Sequence, residues 1–245
     1  MATIEASKLN RLYTWLQPGA PLTSEDLAAL GISADLAVHY VRAGWLTRLT
    51  RGVFCRPNDT LALHPCLLLL ERRFKGLHVG GKSALDWYGL RQYVRQQPLL
   101  HLYGWVAGHL PEWFTERFPA EYHRKRLFDE GPDAMRHVGP FERRSGAPRV
   151  SEPERALLEM LSDVGVRQPL QEARELVESS YSMRFEVLHD LIRHCRSVKT
   201  VRLCLQLGRE GSLPWVAKLD PDALPTGSKR PWVYKSAEGL LVLKP

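Results

Sequence analysis

Near the start of the chain, apolar positions recur every three or four residues. Leu9, Leu12, Tyr13 and Leu16 fall on one helical face, and Pro18-Gly19 ends that helix. The next segment, LTSEDLAALG, predicts a second, shorter helix. Thr23 is its expected N-cap, because the hydroxyl can accept from an otherwise unpaired backbone N–H. Leu22 and Leu27 stand where a hydrophobic staple places them, and Gly31 supplies the closing turn. Only Gly31-Ile32 separates this helix from a third, capped by Ser33. At about 100° per residue, Leu36, Ala37, Tyr40, Val41 and Ala43 lie on one side of the third helix. Ala34, Asp35, Val38, His39 and Arg42 lie on the other.

Two short helices joined by a tight glycine turn predict a helix-turn-helix. The pattern then changes period. β-prone segments around Trp45–Leu49 and Val53–Arg56 flank Thr50-Arg51-Gly52, which predicts a hairpin. A hairpin directly after a recognition helix is a wing. From Leu36 to Pro57 there are four arginines, Arg42, Arg48, Arg51 and Arg56, and no acid. A small, polar or basic helix face suits the major groove, and wing arginines suit phosphates or a minor groove. The candidate DNA-contact residues are Thr23, Ser33, Ala34, Asp35, Val38, His39 and Arg42, with Arg48, Arg51 and Arg56 of the wing. Asp35 opposes a phosphate clamp but can accept from a cytosine amino group. The alternative is a protein-binding winged helix without DNA activity.

Further along, 62–74 predicts a helix and KSALDWYGL a second, ended by Gly89. The polar stretch RQYVRQQP suggests a soft boundary near residue 94, although these two helices suit either side of it. Beyond it, LLHLYG predicts a buried strand, LPEWFTERF a helix opening at Pro111, and AEYHRKRLF an alternating strand. SEPERALLEML predicts a helix with Ser151 and Glu154 as a capping box and Pro153 in the first turn. Helical segments follow at 169–179, 184–195 and 197–209, then a hairpin from SKRPWVYKS and GLLVLKP. Strands followed by helices predict an α+β fold. The expected organisation is a winged helix-turn-helix domain at 1–94, with its core reader at 1–57. A larger mixed α/β domain is expected at 95–245.

Composition narrows the classes. The chain has 245 residues, is 44% hydrophobic and carries a net charge of +7. No apolar run approaches the roughly 20 residues of a membrane span, and the N-terminal stretch lacks an apolar signal-peptide core. A soluble cytoplasmic protein is expected. Cys55, Cys66, Cys195 and Cys204 form no C-x-x-C pair, and the nine histidines show no H-E-x-x-H spacing. No metal or cofactor is therefore assigned. Phosphate-binding glycine loops and the nucleophile elbow are absent, so no enzyme is expected. Asp220-Pro221-Asp222 after Gly211-Ser212 superficially resembles a nucleotidyltransferase metal pair, but Pro221 interrupts the strand such a pair needs. Arg124, Lys125 and Arg126, with Arg143 and Arg144, form a candidate basic surface for an acidic partner or flanking DNA.

Several stretches in order resemble the AbiEi family of antitoxins from type IV toxin–antitoxin systems. They are VRAGWLTRLTRGVFCRP, HVGGKSALDWYGL, SEPERALLEML and CRSVKTVRLCLQLGREGSLPWVAKLD followed by GSKR. The resemblance spans nearly the whole chain. It implies a winged helix-turn-helix that binds inverted repeats in double-stranded promoter DNA upstream of its own operon and represses it. It also implies a C-terminal domain that neutralises a cognate nucleotidyltransferase-type toxin. The DNA-reading positions it implies are Ala34 to Arg42 and the wing arginines. Asp35 departs from the basic or amide residue common there in similar proteins. A monomer that associates cooperatively on DNA is expected.

Overall fold

A computed structural model describes residues 2–90, 99–128, 132–220, 223–228, 230–236 and 239–243. Helix α1 (Ala2–Trp15) leads into the short strand β1 (Leu22–Thr23), then α2 (Ser24–Ala29) and α3 (Ala34–Arg42). Strands β2 (Thr47–Thr50) and β3 (Val53–Cys55) follow, and the three strands pair antiparallel in the order β1-β3-β2. The β2–β3 register shifts between Arg48 and Thr50, so Leu49 sits in a bulge. Gly52 makes the turn at φ +76°, a left-handed conformation that L side chains resist. Its carbonyl accepts from Ser24 N at 3.0 Å, tying the wing tip to the start of α2.

The capping predictions hold in this region. The Thr23 hydroxyl accepts from Asp26 N, and the Asp26 carboxylate accepts from Thr23 N at 2.8 Å, a reciprocal capping box. The Ser33 hydroxyl accepts from Leu36 N at 3.3 Å. The expected apolar face of α3 is buried at Ala37 and Tyr40 and half-buried at Leu36 and Val41; Ala43, beyond the helix end, is exposed. With Leu12, Leu16, Leu22, Leu27, Ile32, Leu46 and Phe54 these residues form a small core of their own.

The larger core takes in Val53 of β3 and continues beyond the wing. Helix α4 (Leu63–Arg73), strand β4 (His78–Val79) and helix α5 (Gly81–Trp87) pack into it through Leu67, Leu70, Val79 and Leu85. Strands β5 (Leu100–Gly104), β6 (Ala120–Arg124), β7 (Val138–Pro140) and β8 (Arg149–Ser151) complete a mixed sheet in the order β6-β5-β4-β8-β7, with the short helix α6 (Glu112–Thr115) between β5 and β6. Thus α4, β4 and α5, which lie before residue 94, pack with the body that follows it. The central strand β4 is two residues long, too short for any periodicity to mark its partner. The polar stretch 91–98 lies outside the described residues.

Helix α7 (Pro153–Ser162) is the centre of the body: its side chains from Glu154 to Ser162 are all buried. It packs against α5, α8 (Leu170–Glu178), α9 (Phe185–Arg193) and α10 (Val198–Glu210). The expected capping box at its start is not formed. Glu152 occupies the N-cap position with no side-chain cap, and Ser151 Oγ instead donates to Glu159 Oε2 at 2.8 Å. Glu154 accepts from Arg184. A fully buried Glu159 carboxylate needs every donor it can reach, and it outcompetes the cap. Strands β9 (Trp232–Ser236) and β10 (Gly239–Leu243) form the terminal hairpin. The fold is α+β, with the three-helix winged unit preceding the larger body. None of the described helices is long and apolar enough to cross a membrane.

Candidate nucleic-acid interface

The outward face of α3 is assembled as its pattern predicts. Ala34, Asp35, Val38, His39 and Arg42 are all exposed, and Val38 shows 45% of its surface. Residues i, i+4 and i+8 of a helix share a face, which lines up Ala34, Val38 and Arg42. Trp45 secures the end of the helix. Its ring stands edge-on to Tyr40 at 5.4 Å and to His39 at 6.0 Å, and its carbonyl accepts from Tyr13 Oη at 2.8 Å.

Opposite α3 stands the wing. Arg48 and Arg51 face a groove of about 730 Å³ between α2, α3 and the β2–β3 turn, with Arg42 and Ser33 on its α3 side. Arg42 and Arg51 make no hydrogen bond or ion pair among the described residues, while Arg48 Nε reaches only Thr50 O at 3.4 Å. Three guanidinium groups therefore converge on one groove with their donors available. The floor is apolar, formed by Leu27, Ile32, Ala37 and Phe54.

Two of the candidate contact residues are committed elsewhere. Thr23 is buried, and its hydroxyl is spent within the capping box. Arg56 turns back to α1, where its Nη2 donates to Tyr13 O at 2.5 Å and to Leu16 O. Carbonyls at a helix C-terminus lack intrahelical partners and carry partial negative charge, so a guanidinium there is held by its own fold. Alternation alone places Arg56 beside the other arginines; the close return of α1 redirects it.

The expected basic surface of the body does not form as one patch. Arg124 is exposed on the edge strand β6, but Lys125 turns inward to Asp163 at 2.6 Å and to Ser162 Oγ at 2.8 Å. Arg126 lines a small cavity with Lys75 and Trp105. Arg143 and Arg144 follow β7, at the opposite edge of the five-stranded sheet, and Arg144 pairs with Glu142 at 3.0 Å. Asp222 lies outside the described residues, so the acidic pair at 220 and 222 is not placed.

Two buried polar networks, one on α7 and one at its C-terminal end, have no signal in the local sequence. In the first, Glu159 accepts from His78 Nε2 (2.9 Å), Arg155 Nε (2.8 Å), Ser151 Oγ and Gly81 N. Burial pushes its carboxyl pKa up, but His78 and Arg155 overcome this and hold it at about 2. The HVGG stretch now has a reason. A Cβ at Gly80 would collide with the Glu159 carboxylate, and Gly81 takes φ +51° against Tyr103. The second network centres on Asp163, which accepts from Tyr103 Oη at 2.7 Å and Lys125 and lies 3.3 Å from His123 Nδ1. Burial opposes its charge; His123 and Lys125 outweigh burial and keep the carboxyl far below the usual range. Lys199 donates to the carbonyls of Ser162 and Val164 at the end of α7, and burial, aided by Lys125, brings its ammonium down to about 8.

Beside this network lies a cluster that the spacing along the chain does not disclose. His101, Glu121 and His123 bring one potential ligand atom each within 4.8 Å of one another. The signal was present as Glu121-x-His123, an i, i+2 pair on one face of a strand. Its third member comes from the parallel partner strand, which spacing along the chain does not reveal.

The three helices, the antiparallel β1-β3-β2 sheet and the exposed α3 define a winged helix-turn-helix protein with an appended α+β body. The chain belongs to the AbiEi antitoxin family of type IV toxin–antitoxin systems. Residues 5–96 match the family profile described as "Transcriptional regulator, AbiEi antitoxin N-terminal domain". Residues 97–244 match that described as "Transcriptional regulator, AbiEi antitoxin, Type IV TA system". The fold is similar to that of the crystal structure of the RV2827C protein from Mycobacterium tuberculosis. The TM-score is 0.56 at 18% identity, covering 94% of this chain and 88% of that one. No curated protein sequence matches the chain.

Proposed function

We propose that this antitoxin-family protein is a sequence-specific autorepressor that lays α3 in the major groove of inverted repeats in its own promoter. The observation that carries this reading is the convergence of Arg42, Arg48 and Arg51 on one groove beside an exposed, small-residue helix face. Arg42 is positioned to read a guanine edge, and the Val38 side chain suits contact with a thymine methyl. Arg48 and Arg51 supply phosphate contacts, which set affinity and its salt dependence. Ser33 and Ala34 permit close approach at the start of the helix. Residues 1–57 are the reading unit, and the body that follows serves to counteract a nucleotidyltransferase-type toxin. The protein is a monomer that associates cooperatively on adjacent half-sites in the cytoplasm.

A second reading draws on the apolar floor of the same groove and on Asp35, which suit a peptide or protein partner better than a phosphate. Fluorescence anisotropy on the upstream DNA of its own operon and on an unrelated fragment, each at two salt concentrations, separates the two. Autorepression requires preferential binding to the upstream fragment, with log affinity falling by about 0.9 per phosphate contact for each unit of log salt. Equal or absent binding to both fragments defeats it and leaves the protein-binding module.

A further inference from the structure

We propose that His101, Glu121 and His123 form a site for one borderline divalent transition-metal ion of the Zn²⁺ class, at the β5–β6 face of the body.

Topology brings the residues together. The parallel register sets His101 opposite Glu121 and Tyr103 opposite His123, so both histidines and the carboxylate project from the same face of two adjacent strands. The facing nitrogens, His101 Nδ1 and His123 Nε2, share a hydrogen bond at 3.0 Å, and an incoming ion takes the place of its proton, which is released to solvent. Two nitrogens bound to one tetrahedral ion at about 2.0–2.1 Å stand roughly 3.3 Å apart, so the rings need only a small separation to accept it. Glu121 Oε2 lies 3.9 Å from the same His123 nitrogen, and the three ligand atoms all lie within 4.8 Å of one another.

The far side of His123 is also built for a ligand. Its Nδ1 lies 3.3 Å from Asp163 Oδ2, and Asp163 is itself fixed by Tyr103 and Lys125. A carboxylate on the second ring nitrogen holds the proton at Nδ1 and turns the Nε2 lone pair towards the metal, the usual support for a metal-bound histidine. Arg167 Nη1, which can only donate, also lies 3.3 Å from Nδ1 and competes with Asp163 for it; an ion on Nε2 selects the tautomer in which Nδ1 carries the proton and donates to Asp163.

Burial and chemistry select the ion. His101 and His123 are buried, whereas the Glu121 side chain is 44% exposed, so the site opens to solvent on one side. Water can complete four-coordination there. Two imidazoles and one carboxylate suit Zn²⁺ and disfavour Mg²⁺, which prefers oxygen ligands and octahedral geometry.

The test uses the full chain after chelator treatment, titrated with Zn²⁺ by calorimetry and with Co²⁺ by visible absorption. The expected results are one ion per chain, the absorption bands of tetrahedral Co²⁺, and no comparable binding of Mg²⁺. Glu121→Gln, at a half-exposed position, is expected to keep the wild-type circular dichroism spectrum and to weaken Zn²⁺ binding at least tenfold. Asp163→Asn is expected to weaken it about 10–100-fold through His123. Absence of stoichiometric Zn²⁺ binding by the folded wild type overturns the proposal. So does binding that is unchanged in folded Glu121→Gln, or Mg²⁺ binding as tight as that of Zn²⁺.

Discussion

Arg72, on the first helix of the larger body, forms a two-pronged ion pair with Asp26, the acid of the α2 capping box (Nη2–Oδ1 2.9 Å, Nη1–Oδ2 3.2 Å). One carboxylate thus serves the start of a helix in the winged unit and a guanidinium from the neighbouring core. Burial raises the Asp26 pKa, but Arg72 and the Thr23 donors outweigh it and leave the carboxyl below its ordinary value. A carboxylate depressed in the folded state contributes stability above its unfolded pKa, about 3.9, that is lost as pH falls through the lower folded value. Thr23→Ala, which removes the cap, is expected to cost about 1 kcal/mol. Arg72→Ala is expected to cost less than about 1 kcal/mol, because Arg72 is half exposed. Urea midpoints at pH 7 and pH 3 check both, and Asp26→Asn should lack the acid-side loss attributed to this group.

The arginines of α3 and the wing divide into those free to meet a ligand and one held by the fold, and the division is measurable. Arg42→Ala is expected to weaken operator binding by about 1–3 kcal/mol and to relax specificity at one base pair, while Arg51→Ala should reduce the phosphate count in the salt slope by about one. Arg56→Ala is expected to leave that slope unchanged and instead to lower stability by about 1.5–3 kcal/mol, because its charged hydrogen bonds hold the end of α1. Paired anisotropy and thermal unfolding on the three variants distinguish the roles. A salt slope that falls in Arg56→Ala as much as in Arg51→Ala would contradict the assignment of Arg56 to the fold.

What the sequence discloses depends on the range of the interaction. The winged unit is legible because its signals are local: Thr23 and Ser33 cap the helices that follow them, Gly52 makes its own turn, and α3 has a clear apolar side. The body is legible as elements but not as partnerships. Nothing near His78 announces Glu159, 81 residues away, and the pairing of His101 with Glu121 depends on a strand register. Lys125 reads as one more surface cation until Asp163 is seen beside it. Ser151 and Glu154 have capping-box spacing, but the long-range demands of Glu159 and Arg184 override it. Arg56 is misplaced for the same reason, since α1 returns to it across 40 residues of chain.

The thiols provide a direct check on packing. All four cysteines are buried, and burial raises the pKa of Cys66 to about 12 and moves Cys55 and Cys204 upward as well. Thiolates are the reactive species, so these groups are expected to be inert. Ellman's reagent should label no cysteine in the native protein and all four in guanidinium. Rapid labelling of Cys55 or Cys66 under native conditions would show that the junction between the wing and α4 opens.

The Glu159 network is the most stringent test of the body. The carboxylate is fully buried and balanced by His78 and Arg155. Removing one partner of such a group leaves the others desolvated and unpaired, which costs about 3–5 kcal/mol. Glu159→Ala is therefore expected to lower the urea midpoint substantially, and more than Ser151→Ala, which removes a single neutral donor. The pH dependence has a definite sign. With the folded value at about 2 and the unfolded value at the ordinary 4.5, the contribution is complete above about pH 4.5 and is lost as pH falls towards 2. Wild-type stability should fall across that window, and the fall should be shallower in Glu159→Gln, which cannot titrate. If both proteins lose stability in parallel, the charge on Glu159 is not what binds α7 to β4 and β8, and apolar packing alone holds the helix in place.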